Sequence, residues 1–200
     1  SLCARAAKRS GIPYVFDVRD RYPAVLFDLG VFSSAGFIGR ILRRIETKNY
    51  AGARMITTVT SGLTQDLEKM VGPEKVVKVI NGFDGKHFTE ENLFRPKRKC
   101  FTIAYHGRLG RFYEVDAFRR MILEVERLDD EICFVLAGDL EDARSSGDWG
   151  GTQFLGELPL NRLAKFLAEC HLGVCLLKEM EVMRKALPAK VFDYLGAGLP

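Results

Sequence analysis

The stretch Ala186-Leu187-Pro188-Ala189-Lys190-Val191-Phe192-Asp193-Tyr194-Leu195-Gly196-Ala197-Gly198-Leu199-Pro200 reads as a loop, a helix opened by proline and a glycine stop. Proline in a first turn sacrifices nothing, because its missing N–H would have no helical partner. The N–H groups of Ala189, Lys190 and Val191, the positive end of the helix dipole and the Lys190 ammonium together would receive an anion such as a diphosphate. Asp193 lies about one turn further on, where a carboxylate can accept two hydrogen bonds from vicinal hydroxyls such as those of a ribose. Phosphate at the helix tip with a diol one turn in outlines a nucleotide-sugar pocket. The competing reading is a core helix capped by proline that carries an unrelated Lys and Asp.

Working outward, the chain alternates strands and helices. Residues 14–18 form a short apolar strand ending in Arg19-Asp20, and Phe37, Ile38, Ile41, Leu42 and Ile45 repeat with helical spacing. Residues 54–60 are β-branched, and Thr60 or Ser61 can cap the helix that carries Leu63, Leu67 and Met70. The next strand is 75–80. A polar stretch, 84–99, contains Pro96 and a run of basic residues, so the domain boundary is placed there, giving regions 1–95 and 96–200. The second region restarts with strand 100–106, helix 116–128, strand 132–138, helix 160–170 and strand 171–177. Strands alternating with helices of this length imply βαβ units and parallel sheets. Ligands in such sheets bind beyond the carboxyl ends of the strands, where Gly107-Arg108, Gly138-Asp139 and the residues from Lys178 fall. A glycine after a strand lets backbone approach a phosphate closely, and Arg108 there suits a bidentate grip on a diphosphate. The alternative is a turn glycine followed by a solvated arginine.

In this order, Asn81-Gly82-Phe83-Asp84, Gly107-Arg108-Leu109-Gly110, Phe154-Leu155-Gly156-Glu157-Leu158-Pro159, strand 171–177 and the Pro188-x-Lys190-x-Phe192-Asp193-Tyr194 helix resemble the retaining GT-B glycosyltransferases of the glycogen-synthase- and sucrose-synthase-like family. The likeness is to bacterial members that build surface polysaccharides, and it runs from about Gly11 to Pro200. It implies an α/β fold made of parts of two Rossmann-like domains. Residues 1–95 would end the acceptor-side domain and 96–200 would begin the donor domain. It further implies donor binding by Gly107, Arg108, Ala189, Lys190 and Asp193, and transfer without a metal or other cofactor. Two departures stand out. The second basic residue usual in the 107 loop has no clear counterpart, Arg111 being the later cation there. Asp193 matches the second acidic residue of the family's Glu-x7-Glu pattern, but Lys185 stands at the first, with Glu179 and Glu181 nearby.

Composition is ordinary for a soluble globular protein: 47% apolar, 28% charged, net charge +4. No run of apolar residues is long enough to span a membrane. The N-terminus lacks Met and a signal-peptide core, and both ends read as cut, as in the central part of a two-domain enzyme. Cys3, Cys100, Cys133, Cys170 and Cys175 are odd in number with no Cys-x-x-Cys pair, so a zinc site or disulfide scaffold is not expected and a cytoplasmic setting is. His87, His106 and His171 lie far apart and show no metal-ligand spacing. Asn81-Gly82 reads as a turn with a positive-φ glycine that closes the first region.

Asp20, at a strand end in Arg19-Asp20-Arg21, is the acceptor-side candidate; the alternative is an ion pair with Arg19 or Arg21. The helix near 34–50 carries its apolar residues on one face and Arg40, Arg43 and Arg44 on the other. It is read either as a peripheral contact with the inner face of a membrane or as a helix packed on its own sheet. Nucleic-acid binding is not favoured, because the basic residues are not interleaved with aromatics. The expected activity is transfer of a sugar from a nucleotide-sugar donor to a saccharide or lipid-linked acceptor with retention. The alternatives are a nucleotide-sugar epimerase of the same architecture and a non-catalytic subunit that kept the fold.

Overall fold

The computed structural model describes residues 2–200 and divides into two compact units. One comprises the chain as far as Asn81 together with Glu179–Leu187, and the other Gly82–Lys178 with Pro188–Pro200. The units are thus drawn differently from the linear division at 95/96. Residues 82–95 go with the second unit because Phe88 and Leu93 pack in its core. Glu179–Leu187 goes with the first because its polar groups are bonded there, as described below.

The first unit contains α1 (Leu2–Arg9), β1 (Val15–Val18), α2 (Ala24–Asp28), α3 (Phe37–Gly52), β2 (Met55–Thr58), α4 (Ser61–Val71) and β3 (Val76–Lys78). Its strands form a parallel sheet in the order β1-β2-β3, with Val15 opposite Met55 and Ile56 opposite Val76. Val18, Tyr50, Ile56, Leu63 and Leu67 make the core. Thr60 caps α4 as the sequence suggests, its hydroxyl accepting the Leu63 N–H at 3.3 Å. Gly72, at φ +94°, ends the helix in a conformation that a side chain would resist. Helix α3 packs on its own sheet through Tyr50, which belongs to the core. It buries Gly39, Glu46 and Tyr50, and turns Phe37, Ile38, Ile41 and Ile45 outward. Buried Glu46 is tolerated because Arg21 Nε donates to it at 3.1 Å.

The second unit contains α5 (Glu90–Leu93), β4 (Phe101–His106), α6 (Val115–Leu128), β5 (Ile132–Ala137), α7 (Glu141–Arg144), β6 (Gln153–Gly156), α8 (Leu160–Glu169), β7 (Leu172–Gly173) and α9 (Ala189–Gly196). All four strands are parallel, in the order β6-β5-β4-β7. The central strands are covered on both faces: β5 is apolar throughout, and β4 is apolar apart from Thr102 and His106. Ile103, Tyr105, Phe134 and Leu136 pack against Phe118 and Ile122 of α6 on one face. Ala104, Val135 and Ala137 meet Leu163, Leu167 and Tyr194 on the other. The basic end of the polar stretch has a structural use: Lys97 Nζ donates to the Cys170 carbonyl at 2.5 Å and the Arg98 N–H to the Glu169 carbonyl at 2.9 Å. Cations there complement the negative end of α8.

Two expectations are corrected. The strand read at 171–177 is regular only over Leu172–Gly173. Beyond it, Val174 still donates to Ala104, but Leu177 bridges to Tyr113 instead of continuing along β4. Gly82 does not adopt positive φ, so Asn81-Gly82 is not a glycine-requiring turn; the Asn81 side chain instead accepts from Arg19 at 3.2 Å. Strand β6 went unread because its Gln153-Phe154-Leu155-Gly156 is too short to show a period.

Gly173 packs tightly against α9. A Cβ there would lie 2.4 Å from Tyr194 Cγ. Gly173→Ala is therefore expected to lower stability by about 1–3 kcal/mol in urea denaturation. A loss below about 0.5 kcal/mol would mean that the Tyr194 ring moves aside freely.

Candidate functional site

The carboxyl ends of β4 and β5 deliver His106 and Ala137 to one rim of the second sheet, each followed by a positive-φ glycine, Gly107 at +97° and Gly138 at +134°. The two loops approach closely: a Cβ on Gly138 would fall 2.4 Å from the Gly107 carbonyl oxygen. Above them lies a cavity of about 360 Å³ lined by His106, Gly107, Arg108, Asp139, Glu157 and Leu158 among others, a volume within the range of small-ligand pockets. Tyr105 Oη donates to the Arg108 carbonyl at 2.9 Å and fixes the loop. The Arg108 side chain is mostly exposed and pairs with Asp139, Nε to Oδ2 at 3.4 Å.

Helix α9 enters beside this rim. Proline 188 precedes it, but only part of the expected N–H array is free, because Val191 donates to the Pro188 carbonyl at 3.1 Å. The expectation that the N–H of Val191 serves an anion along with those of Ala189 and Lys190 is corrected accordingly: the first turn closes tightly on Pro188 and consumes it.

Lys190 turns inward and is 6% exposed. Its Nζ sits 3.7 Å from the Tyr105 ring centroid and 4.3 Å from that of Tyr113. It lies beneath the 107 loop, 3.6 Å from where a Gly107 Cβ would be. Among the described residues it has no hydrogen-bond partner. Burial pulls its ammonium down to about 8, while the two aromatic faces give back part of the lost hydration through cation–π attraction.

One turn on, Asp193 is half-buried, and burial alone raises its carboxyl above the usual range. Its Oδ2 lies 3.4 Å from His106 Nε2, an atom that makes no hydrogen bond among the described residues. Burial, and then the Lys190 charge, push His106 down to about 4, so the imidazole is neutral at pH 7. Tyr194 joins helix to sheet. Its hydroxyl donates to the Val174 carbonyl at 3.0 Å and accepts the His106 N–H at 3.3 Å. Gly107, Arg108, Lys190 and Asp193 thus come together at one strand end, with Ala189 opening the helix. His106 joins them although its sequence spacing carried no signal; its place at the last position of a strand, directly before Gly107, was the available clue. His171 is structural, accepting the Thr102 N–H at 3.0 Å.

Asp20 belongs to the first unit, in the loop after β1. Neither neighbouring arginine pairs with it: Arg19 Nε reaches Asp17 at 3.0 Å and Arg21 reaches Glu46. Asp20 borders a second cavity of about 260 Å³, also lined by Arg21, Asp28, Asp66, Glu181 and Lys185. Here the Glu179–Leu187 segment is bound. Thr60 Oγ1 donates to the Lys185 carbonyl at 2.7 Å, Lys185 Nζ pairs with Asp66 at 2.7 Å and Glu181 at 3.4 Å, and the Val182 N–H donates to Asp28 at 3.0 Å. Among the described residues, no group of three or more His, Cys, Asp or Glu is placed to hold a metal ion, and no helix is long and apolar enough to cross a membrane.

No sequence family matches the chain, and no curated protein is significantly similar to it. Solved structures do match in fold. HepE from Anabaena, in complex with UDP and glucose, aligns with 100% of this chain and 54% of its own at TM-score 0.71 and 14% identity. Trehalose 6-phosphate synthase from Burkholderia multivorans aligns with 97% of this chain and 51% of its own, at TM-score 0.63 and 15% identity. TarM from S. aureus aligns with 94% of this chain and 36% of its own, at TM-score 0.61 and 10% identity. The architecture is therefore that of a GT-B fold, and the chain spans about half the length of the first two.

The state of Lys190 is directly measurable. In isotope-labelled protein one lysine side chain should titrate near pH 8 and be lost in Lys190→Met. Because its folded value lies below the unfolded 10.5, folding disfavours the charged form. The Lys190→Met protein should therefore gain stability over wild type below pH 8, and that gain should shrink as pH rises toward 10.5. A Lys190 signal titrating at the ordinary lysine value would contradict its burial.

Proposed function

We propose that the second unit binds the nucleoside diphosphate part of an activated sugar, and that the chain is part of a retaining glycosyltransferase acting on a saccharide or lipid-linked acceptor. The observation that carries this reading is Lys190: a desolvated ammonium with no hydrogen-bond partner among the described residues, under a glycine loop at a strand end. A buried cation without an anion is a costly arrangement for stability alone. A diphosphate beside it would supply the missing charge, with the Ala189 end of α9 contributing its dipole. Arg108, exposed and, among the described residues, held by Asp139, can exchange that partner for a phosphate. Asp193 would accept from the ribose hydroxyls. The HepE neighbour is in complex with UDP and glucose, which favours a uridine nucleotide here.

In such a site, departure of the nucleoside diphosphate is assisted by preorganised positive charge. Lys190, Arg108 and the helix terminus would supply that charge from the protein itself, so the proposed transfer needs no divalent metal. His106, neutral at pH 7, forms no ion pair with the Asp193 carboxylate and adds no charge beside the diphosphate. Asp20 remains the acceptor-side candidate, since both adjacent arginines are engaged elsewhere.

A second reading, a subunit that binds nucleotide without transferring sugar, draws on one observation. Lys185 occupies the position of the resembled family's first acidic residue and is tied to Asp66 and Glu181. Release of UDP from UDP-sugar in the presence of acceptor separates the two readings.

The donor assignment is tested by calorimetry with UDP, with and without a chelator. Binding should persist in the chelator, and Asp193→Asn should weaken it by about tenfold to a hundredfold, as for a lost hydrogen bond to a charged group. The 2′,3′-dideoxy nucleotide should bind weakly to both proteins with little further loss in the variant. Equal losses for the two nucleotides would remove Asp193 from the pocket, and an absolute need for magnesium or manganese would overturn the metal-free account.

A further inference from the structure

Helix α3 presents its apolar residues in the wrong direction for a helix that serves only its own core. Gly39, Glu46 and Tyr50 face inward. Phe37, Ile38, Ile41 and Ile45 are 75%, 51%, 40% and 40% exposed. At 3.6 residues per turn the centre of this second stripe lies roughly 140° around the helix from the buried one. An ordinary surface helix turns that face polar.

The charges around the stripe have one sign. Arg40, Arg44 and Lys48 lie along one edge of it and within it, all exposed. Arg43 covers the Phe27 ring at 5.3 Å. The helix's acid, Glu46, is buried and held by Arg21, so it does not dilute the outer field. Helix α1, which packs beside α3, carries exposed Arg5, Lys8 and Arg9.

We propose that the outer face of α3 docks this protein on a bilayer surface carrying anionic lipid headgroups. The four apolar side chains would enter the headgroup–acyl boundary, and the arginines and Lys48 would lie level with the phosphates. Long basic side chains suit that arrangement, since their stems are apolar and their heads reach the anionic layer. The charge pattern favours lipid over a second copy of the chain. A two-fold contact through this face would bring like-charged rims together, which opposes association.

The test is co-sedimentation of the chain with vesicles of phosphatidylcholine, with and without phosphatidylserine. Binding should require phosphatidylserine and weaken with salt. Arg40→Glu with Arg44→Glu should reduce partitioning by at least about tenfold. Phe37→Ser with Ile41→Ser should reduce it by about tenfold or more. Both variants should keep the wild-type melting temperature, because all four side chains are exposed. Absence of binding, equal binding to both vesicle types, or unchanged binding of both variants would overturn the proposal. So would a lipid-free dimer that Phe37→Ser with Ile41→Ser dissolves, which would assign the face to a second copy.

Discussion

The second unit is organised around an ammonium group that water has left. Burial pulls the Lys190 ammonium down to about 8, and its Nζ lies over the rings of Tyr105 and Tyr113, whose faces attract a cation. Each of those conditions is set by a different element. Tyr105 is the penultimate residue of β4, Tyr113 follows the loop after it, and Gly107 leaves room above. Lys190 itself is the second residue of α9. The position of α9 on the sheet is fixed in turn by Tyr194, whose ring fills the space that Gly173 leaves empty and whose hydroxyl ties β4 to the chain after β7.

The same burial sets the neighbouring charges. A carboxylate and an imidazole 3.4 Å apart would ordinarily form an ion pair. Here burial, and then the Lys190 charge, push His106 down to about 4 and keep it neutral, so Asp193 keeps its acceptor capacity for another partner. The rim therefore offers a cation under the glycine loop and an acceptor one turn along the helix, with an exposed arginine at the mouth. That distribution suits a ligand with an anionic centre and a hydroxylated end, which is the basis for proposing a nucleoside diphosphate.

Much of the fold was legible because its signals are local. The apolar strands 100–106 and 132–138 match β4 and β5 to within one residue at an end, and Pro188 announced the start of α9. The glycine after β4 also marked the site. What was not legible depends on long-range packing. Nothing in Lys190's neighbours along the chain says that its side chain turns in toward Tyr105, 85 positions earlier by number (190 − 105). His106 joined the site only once α9 was placed over β4. The return of Glu179–Leu187 to the first unit rests on Thr60, Asp66 and Asp28, none of which has a sequence pattern pointing to Lys185 or Val182. For α3 the periodicity was read correctly, but a period does not say which stripe faces the core. The buried stripe carries Gly39, Glu46, held by Arg21, and Tyr50, and not the hydrophobic repeat.

The central claim is that the Lys190 ammonium is the group that meets the diphosphate. An anion placed beside a lysine that titrates near 8 raises its affinity for protons, so binding at that pH must take up protons. Calorimetry of UDP binding at pH 8 in buffers of different ionisation enthalpy measures the uptake. The account predicts roughly half a proton for wild type, from a group half-protonated at its own titration point of about 8, and none for Lys190→Met, which should also bind UDP more weakly. Equal proton uptake and equal affinity in the two proteins would show that Lys190 does not contact the ligand.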